Sequence, residues 1–119
     1  MKILICEDNK LASRTLEVVI TKAGYLTEKA VDGNNAIELL RENIYDLVIM
    51  DIHLPFHSGL ELVRYMREEL KSKTPVLIVT AFSDRQMQTQ ASELGINGYI
   101  VKPFNPADLL QQIREILKK

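Results

Sequence analysis

The sequence predicts an α/β fold with one doubly wound, five-stranded parallel sheet and five helices. Five short apolar runs alternate with five longer stretches of helical period. The central runs are apolar on both faces, as is typical of parallel strands covered by helices on both sides. Five units of a strand followed by a helix, joined by right-handed crossovers, favour the strand order 2-1-3-4-5.

The predicted strands are the short apolar runs. The first, third and fourth runs are almost wholly aliphatic, which suits central strands of a parallel sheet. The second run alternates and is more polar, as an edge strand would be. In chain order the runs are residues 3–6, 26–31, 47–50, 76–79 and 98–101.

Apolar residues at helical spacing predict a helix after each strand. The apolar stripes of the five helices lie within residues 11–23, 36–40, 60–70, 87–94 and 109–117. Gly24 and Gly95 follow the first and fourth stripes, where glycine commonly ends a helix. Ser83-Asp84 and Asn105-Pro106 are suitable starts for the fourth and fifth helices. The fourth stripe is thin, so we expect that helix to have few anchoring contacts and to move easily.

Length and composition exclude several classes of protein. A chain of 119 residues predicts one domain, residues 1–119, and its formal net charge of -1 gives no general attraction to nucleic acid or membranes. The single cysteine, Cys6, excludes an internal disulfide and is expected to be a small core residue. No apolar run approaches the ~18 residues of a membrane span. The N-terminus also lacks a signal-peptide pattern, so we expect a cytoplasmic protein.

Polar and charged side chains follow four of the five strands. Glu7-Asp8 follow the first, Asp51 the third, Thr80 the fourth and Lys102 the fifth. Ligands of such sheets bind outside the carboxyl ends of the strands, so we expect these groups to lie together. Each alone has an ordinary interpretation, such as a helix cap for Glu7-Asp8 or a turn residue for Thr80. Their shared position at one edge of the sheet favours a site.

This set of groups suits phosphoryl transfer. Three close carboxylates repel one another, and a hard divalent cation such as Mg²⁺ removes that cost. Lys102 can neutralise phosphoryl oxygens, and Thr80 can donate a hydrogen bond to one of them. One carboxylate then remains as a nucleophile that can attack phosphorus and form an aspartyl phosphate.

The chain resembles a known family, the receiver domain of two-component response regulators, and within it the chemotaxis-regulator-like members. The resemblance covers the whole chain. It rests on Glu7-Asp8, the stretch MDIHLP that ends at Pro55, Gly59, Thr80-Ala81, and the stretch YIVKPF at residues 99–104. It implies a flavodoxin-like version of the predicted fold and a signalling module that is activated by phosphorylation.

The resemblance also implies roles for the site residues. Asp51 resembles the phosphoryl acceptor, and Lys102 resembles the lysine that pairs with the phosphoryl group. Glu7, Asp8, Asp51 and the backbone carbonyl of His53 resemble the ligands of Mg²⁺, for which Mn²⁺ can substitute. Catalysis is then limited to the domain's own phosphorylation and dephosphorylation, so the domain is not expected to be an enzyme.

Thr80 and Tyr99 resemble the switch pair of the family. On phosphorylation the hydroxyl is drawn to the phosphoryl group and the ring turns inward, which changes the face formed by the fourth helix, fifth strand and fifth helix. The implied phosphoryl donor is a sensor histidine kinase or a histidine phosphotransfer protein. A phosphorylation-dependent homodimer is left open, and neither nucleic-acid nor membrane binding is expected of this domain.

Two bulky residues differ from the smaller or polar ones common in this family. His53 lies two residues after Asp51, and Phe82 lies two residues after Thr80, so both are expected to flank the phosphorylation site. We hypothesise that Phe82 hinders the attacking water and lengthens the life of the phosphoryl group. A zinc site that uses His53 and His57 is disfavoured, because the resemblance gives His53 a backbone role and places His57 in a loop.

Other functions fit parts of the pattern. A Mg²⁺-dependent phosphatase often carries a second aspartate where this chain has His53. A phosphorylation-independent interaction module on the same fold usually lacks the acceptor, an acid or the lysine, all of which are present here. A flavin-binding protein would have its phosphate repelled by Glu7 and Asp8. The pattern leaves open both a stand-alone regulator and a domain of a longer protein.

Overall fold

The computed structural model describes residues 1–118, so Lys119, the last residue of the predicted domain, lies outside it. The strands are β1 (Lys2–Cys6), β2 (Leu26–Ala30), β3 (Leu47–Met50), β4 (Val76–Thr80) and β5 (Gly98–Val101). The helices are α1 (Lys10–Lys22), α2 (Gly33–Glu42), α3 (Gly59–Arg64), α4 (Arg85–Glu93) and α5 (Pro106–Leu117). All strand pairs are parallel in the order β2-β1-β3-β4-β5, which confirms the predicted fold class.

The sheet register brings the strand ends to one level. Cys6 lies opposite Met50 in the pairing of β1 with β3, and the backbone N–H of Asp51 donates to the carbonyl of Cys6 at 3.0 Å. At the other side of the sheet, the N–H of Lys102 donates to the carbonyl of Thr80 at 2.7 Å. The residues that leave β1, β3, β4 and β5 therefore emerge side by side.

Each helix begins at a side chain that accepts a hydrogen bond from the first helical turn. These capping residues are Asn9, Asp32, Ser58, Asp84 and Asn105. For α1 the cap is Asn9, whose side chain accepts from the N–H of Ala12 at 2.9 Å. The interpretation of Glu7-Asp8 as the cap of α1 is therefore wrong.

The two faces of the sheet pack against separate helix layers. Alternate residues of β1 point to opposite faces: Ile3 and Ile5 pack with α1 and α5, whereas Leu4 and Cys6 pack on the side of α2 and α3. Cys6 is buried, as predicted, and burial raises the pKa of its thiol. The chain thus has a hydrophobic core on each side of one sheet.

Within residues 1–118 no helix is long and apolar enough to span a membrane.

The structure departs from the predicted periodicity at two places. Leu11 belongs to the predicted stripe of α1 but is 77% exposed, and it lines an open cavity with Pro103 and Phe104 instead of entering the core. The third helix changes at its end from α3 to a π-helical segment, Tyr65–Glu69. Both departures follow from tertiary packing, which a simple 3.6-residue period does not describe.

Candidate functional site

The residues that follow β1, β3, β4 and β5 meet at the carboxyl edge of the sheet, around an open cavity of about 870 Å³. Its lining includes every predicted site residue except Tyr99; these are Glu7, Asp8, Asp51, His53, Thr80 and Lys102. Lys10 also lines the cavity and was not among the predicted site residues. Its position two residues after the acidic pair, as the first residue of α1, is the sequence signal that could have identified it.

Asp51 is only 6% exposed and accepts hydrogen bonds on both carboxylate oxygens. Its Oδ1 accepts from the Thr80 hydroxyl at 2.7 Å and from the backbone N–H of His53 at 3.1 Å. Its Oδ2 accepts from Lys102 Nζ at 3.0 Å. The carboxylate is therefore held in one orientation by groups from three different strand ends.

Lys102 connects Asp51 to a second buried carboxylate. Its Nζ donates to Glu7 Oε1 at 2.5 Å, and Glu7 is 2% exposed. The other oxygen of Glu7 accepts from the backbone N–H of Asn9 at 3.1 Å. The peptide bond from Lys102 to Pro103 is cis. One ammonium group thus bridges the acid after β1 and the acid after β3.

The pKa values of the two bridged carboxyls move in opposite directions. Burial raises the pKa of Glu7, and the neighbouring Asp51 adds to this rise, although the bond from Lys102 opposes it. Burial also acts to raise the pKa of Asp51, but the hydrogen bonds from Thr80 and Lys102 outweigh it and the pKa is lowered. For Lys102, burial is likewise outweighed by its two carboxylate partners, so its pKa is raised. Of the two bridged carboxyls, Asp51 is therefore the one whose ionised form the site favours.

The acidic residues also form a cluster that fits a metal ion. Glu7, Asp8 and Asp51 each offer a carboxylate oxygen, and these oxygens lie within 4.8 Å of one another. Glu7 and Asp51 are buried, whereas Asp8 is exposed at the mouth of the cavity. Three carboxylates outnumber the two lysines that line the cavity, Lys10 and Lys102, and the excess negative charge and hard oxygen donors suit a divalent cation such as Mg²⁺. Within residues 1–118 this is the only group of three or more potential metal-ligating side chains.

Two rings stand at one side of the cavity mouth. The centroids of His53 and Phe82 are 6.3 Å apart, with the ring planes tilted by 56°. His57 lies elsewhere: its Nδ1 is 3.7 Å from Glu61 Oε2, and its backbone packs against Gly33. The two histidines therefore have different neighbours in the structure.

Gly59 explains how the loop after Asp51 fits against the start of α3. A side-chain carbon at this position would lie 2.3 Å from the backbone oxygen of Asp51, closer than any real contact. The N–H of Gly59 donates to the carbonyl of Ile52 at 2.8 Å, which draws the helix start onto the end of β3. Glycine is required here because the backbone approaches so closely.

Tyr99 lies outside the cavity but is connected to it through the loop between β4 and α4. Its hydroxyl donates to the backbone carbonyl of Phe82 at 2.7 Å. Thr80, two residues earlier in the chain, donates to Asp51. The short segment 80–82 is therefore bonded to Asp51 at one end and to Tyr99 at the other.

Comparisons with known proteins agree with this geometry. Residues 3–114 match the response regulator receiver domain family. Response regulator ArlR of Staphylococcus aureus is 37% identical over 118 residues, which cover 99% of this chain and 53% of that protein. The chain therefore spans about half the length of the curated relatives it matches.

Solved structures share the fold along nearly the whole chain. Chemotaxis protein CheY4 of Vibrio cholerae has a TM-score of 0.90 and 30% identity, with 98% of each chain covered. The signal receiver domain of a signal transduction histidine kinase from Syntrophus aciditrophicus has a TM-score of 0.87 and 29% identity, covering 98% of this chain and 89% of that one. The chain belongs to the response regulator receiver domains, the phosphorylation-activated signalling modules of two-component systems.

Proposed function

We propose that Asp51 is the phosphoryl acceptor of this domain. The donor is a phosphohistidine on a sensor histidine kinase or a histidine phosphotransfer protein. The observation that carries the proposal is the bonding of the Asp51 carboxylate, which Thr80 and Lys102 hold ionised at the floor of an open cavity. An ionised, oriented carboxylate that a donor can reach is what nucleophilic attack on phosphorus requires.

The protein groups divide the work of the transfer. A carboxylate oxygen of Asp51 forms a bond to phosphorus while the bond from phosphorus to the donor nitrogen breaks, and its electron pair stays with the imidazole. Lys102 Nζ and the Thr80 hydroxyl, which now bond to Asp51, are within reach of the phosphoryl oxygens that replace the carboxylate charge. Water slowly ends the phosphorylated state by attacking the same phosphorus: the bond from phosphorus to the Asp51 oxygen breaks, inorganic phosphate is released and the Asp51 carboxylate is regenerated.

Glu7, Asp8, Asp51 and the backbone carbonyl of His53 would hold Mg²⁺ or Mn²⁺. The ion supplies positive charge to the phosphoryl oxygens when it is bound. The buried Glu7 and the exposed Asp8 have different positions in this set. Glu7 is already held by Lys102 and by the N–H of Asn9, so it orients the site, whereas Asp8 is free to turn toward an ion at the cavity mouth.

Thr80 and Tyr99 form the switch that carries the signal outward. Thr80 and Phe82 are the two ends of the segment 80–82: the Thr80 hydroxyl donates to Asp51, and the Phe82 carbonyl accepts from the Tyr99 hydroxyl. Movement of Thr80 toward a phosphoryl group therefore displaces the carbonyl to which Tyr99 is bonded. The helix that follows this segment, α4, buries only Ala91 and can shift at low cost. The output surface is the face formed by α4, β5 and α5.

The function of the domain is limited to signalling. Residues 1–119 form one receiver domain that turns over only its own phosphoryl group, so a chromogenic phosphomonoester should not be hydrolysed. It acts in the cytoplasm, and it binds neither nucleic acid nor membranes itself. A homodimer that forms on phosphorylation is a further proposal, to be checked by sizing the protein before and after phosphorylation.

The test is phosphorylation by phosphoramidate, with and without Mg²⁺, followed by intact mass. We expect a Mg²⁺-dependent gain of one phosphoryl group in the parent, its loss in Asp51→Asn, and its retention in the control Asp108→Asn on the exposed surface of α5. A gain that persists in Asp51→Asn would overturn the assignment of the acceptor. No gain in the parent, from either phosphoramidate or a phosphorylated histidine phosphotransfer protein, would overturn the proposed function.

A further inference from the structure

Arg67 joins three backbone segments at the edge of the sheet opposite to Asp51. Its Nη1 donates to the carbonyls of Ser72 at 3.0 Å and Thr74 at 2.8 Å, both in the loop that leads into β4. Its Nη2 donates to the carbonyl of Gly95 at 2.9 Å, in the loop between α4 and β5. A single half-buried guanidinium therefore connects the end of the third helix, the start of β4 and the end of α4.

The π-helical segment directs Arg67 toward these carbonyls. In this segment the N–H of Leu70 donates to the carbonyl of Tyr65 at 3.0 Å, and the N–H of Ser72 reaches back to Met66 at 2.8 Å. A π turn contains an extra residue, so it rotates the following side chains around the helix axis. The chain after the helix thereby folds back beneath the guanidinium, so that the carbonyls of Ser72 and Thr74 come within its reach. We take this to be the structural role of the π-helical turn.

The guanidinium holds the residue that directly follows the C-cap of α4. Gly95 directly follows the C-cap residue Leu94 and has a φ of +84°, the left-handed conformation that ends many helices. Carbonyls at a helix C-terminus carry partial negative charge and favour a cation. Among residues 1–118 no carboxylate forms a salt bridge with Arg67, so these carbonyl groups are its bonding partners.

The rest of α4 is held much less firmly. Ala91 is its one buried residue, and Met87 and Leu94 are half-buried against the core. The N-terminal end begins at Asp84, two residues after Phe82, and is therefore next to the acceptor cavity. The C-terminal end of α4 is thus held by a charge-assisted hydrogen bond from Arg67 to Gly95. The N-terminal end is connected to the segment 80–82.

We propose that Arg67 is the pivot of α4, so that phosphorylation swings the N-terminal end of the helix while the C-terminal end stays in place. The direction of the swing rests on the proposed function, because phosphorylation of Asp51 supplies the signal. The bonds from Arg67 to the carbonyls of Ser72, Thr74 and Gly95, which we call the clamp, do not rest on the proposed function, because they exist in the unphosphorylated protein. A pivot at Arg67 confines the displacement to the end of α4 that is nearest to Asp51. The helix then rotates within the output surface.

Amide hydrogen exchange tests the clamp, read by mass spectrometry on peptides from residues 84–90 and 91–97. Arg67→Gln removes the charge-assisted bonds, so exchange in residues 91–97 of the unphosphorylated protein should become roughly tenfold faster. Arg67→Lys, which keeps the charge but not the forked geometry, should give a smaller increase. The matched control is Arg64→Gln in the same helix, where an exposed side chain makes only a 3.9 Å ion pair with Glu68 and no change is expected.

Phosphorylation of the parent by phosphoramidate tests the direction of the swing. We expect exchange to change in residues 84–90 and to stay constant in residues 91–97, whereas in Arg67→Gln the change should extend into residues 91–97. Equal exchange of residues 91–97 in Arg67→Gln and Arg64→Gln would overturn the clamp. An equal change at both ends of α4 in the phosphorylated parent would overturn the pivot.

Two further controls keep these outcomes separate. If Arg67→Gln exchanges fast in every peptide, its fold is lost, and the clamp is then decided by Arg67→Lys against Arg64→Gln. If the parent is not phosphorylated at all, the proposed function fails, but the comparison of the unphosphorylated proteins still supports or overturns the clamp.

Discussion

The helices on either side of β5 in the chain are held in very different ways. α5 buries Leu109 and Ile113 completely and adds three half-buried apolar side chains to the same core. α4 buries only Ala91, with Met87 and Leu94 half-buried. Since each buried aliphatic side chain contributes about 1.5–3 kcal/mol, α5 is a fixed part of the scaffold and α4 is an element with little to lose by moving.

The loops that lead into these helices differ in the same way. The loop before α5 begins with Lys102, whose charge is fixed between Glu7 and Asp51. Before α4, Thr80 at the end of β4 and Phe82 in the following loop connect Asp51 to Tyr99 through single hydrogen bonds. The anchored helix thus follows the residue with the fixed charge, and the loosely held helix follows the groups that we propose respond to phosphorylation.

The largest expected effect is on stability. Ile113→Ala should lower the free energy of unfolding by roughly 2–5 kcal/mol, because it leaves a cavity in a fully buried position. Met87→Ala removes a half-buried side chain of α4 and should cost about 1 kcal/mol or less. Urea denaturation followed by circular dichroism measures both. Equal losses in the two variants would contradict the difference in anchoring.

The next largest effect is on the rate of phosphorylation. Lys102→Ala leaves Glu7 and Asp51 without the ammonium between them, so phosphorylation by phosphoramidate should slow by about tenfold or more. Lys102→Arg keeps a cation there and should retain part of the rate. Thr80→Ala removes one neutral hydrogen bond and should slow the reaction less, by about threefold. A larger loss from Thr80→Ala than from Lys102→Ala would reverse the roles assigned to the two loops.

Most of the fold could be predicted because each of its determinants is local. Aliphatic runs without polar residues define the central strands, and Asp84 and Asn105 cap helices at the predicted positions. The site could be predicted because parallel strands carry Glu7, Asp51 and Lys102 to the same edge of one sheet. In these cases the residue type, its position in the chain and the topology all point to one arrangement.

The features that could not be predicted depend on contacts between distant segments. The π-helical turn at Tyr65–Glu69 has no periodic signature, and the bonds of Arg67 to Ser72, Thr74 and Gly95 exist only after β4 and β5 are paired. The exposure of Leu11 depends on the path of the loop around Phe104. Hydrophobic periodicity specifies which face of a helix is apolar but not how far the opposing surface extends.

A smaller effect is expected on the lifetime of the phosphoryl group. Phe82 stands with His53 at one side of the cavity mouth, so Phe82→Ala should admit water and speed dephosphorylation by about three- to tenfold. The control is Val101→Ala, since Val101 is 37% exposed and Phe82 is 38% exposed, but Val101 does not line the cavity. An unchanged or slower rate in Phe82→Ala would reject the role of the ring, as would an equal acceleration in the control.

The smallest effect concerns the bond that joins β5 to the loop before α4. Tyr99→Phe removes only the hydroxyl that donates to the carbonyl of Phe82, and the ring keeps its contacts with the core. Because that bond lies near the surface, its loss should cost about 0.5 kcal/mol of stability, or a fall of about 2 °C in the melting temperature.

The informative measurement for Tyr99→Phe is amide exchange in residues 80–90. Without the hydroxyl, the loop before α4 loses its connection to β5, so exchange should rise there by about twofold and stay constant in residues 102–117 of the β5–α5 region. Phosphorylation of Asp51 should proceed at the parental rate, because the hydroxyl does not touch the acceptor. If exchange instead rose equally in both regions, Tyr99 would be a general support of the sheet edge, and the difference between the mobile α4 and the fixed α5 would have to come from their cores alone.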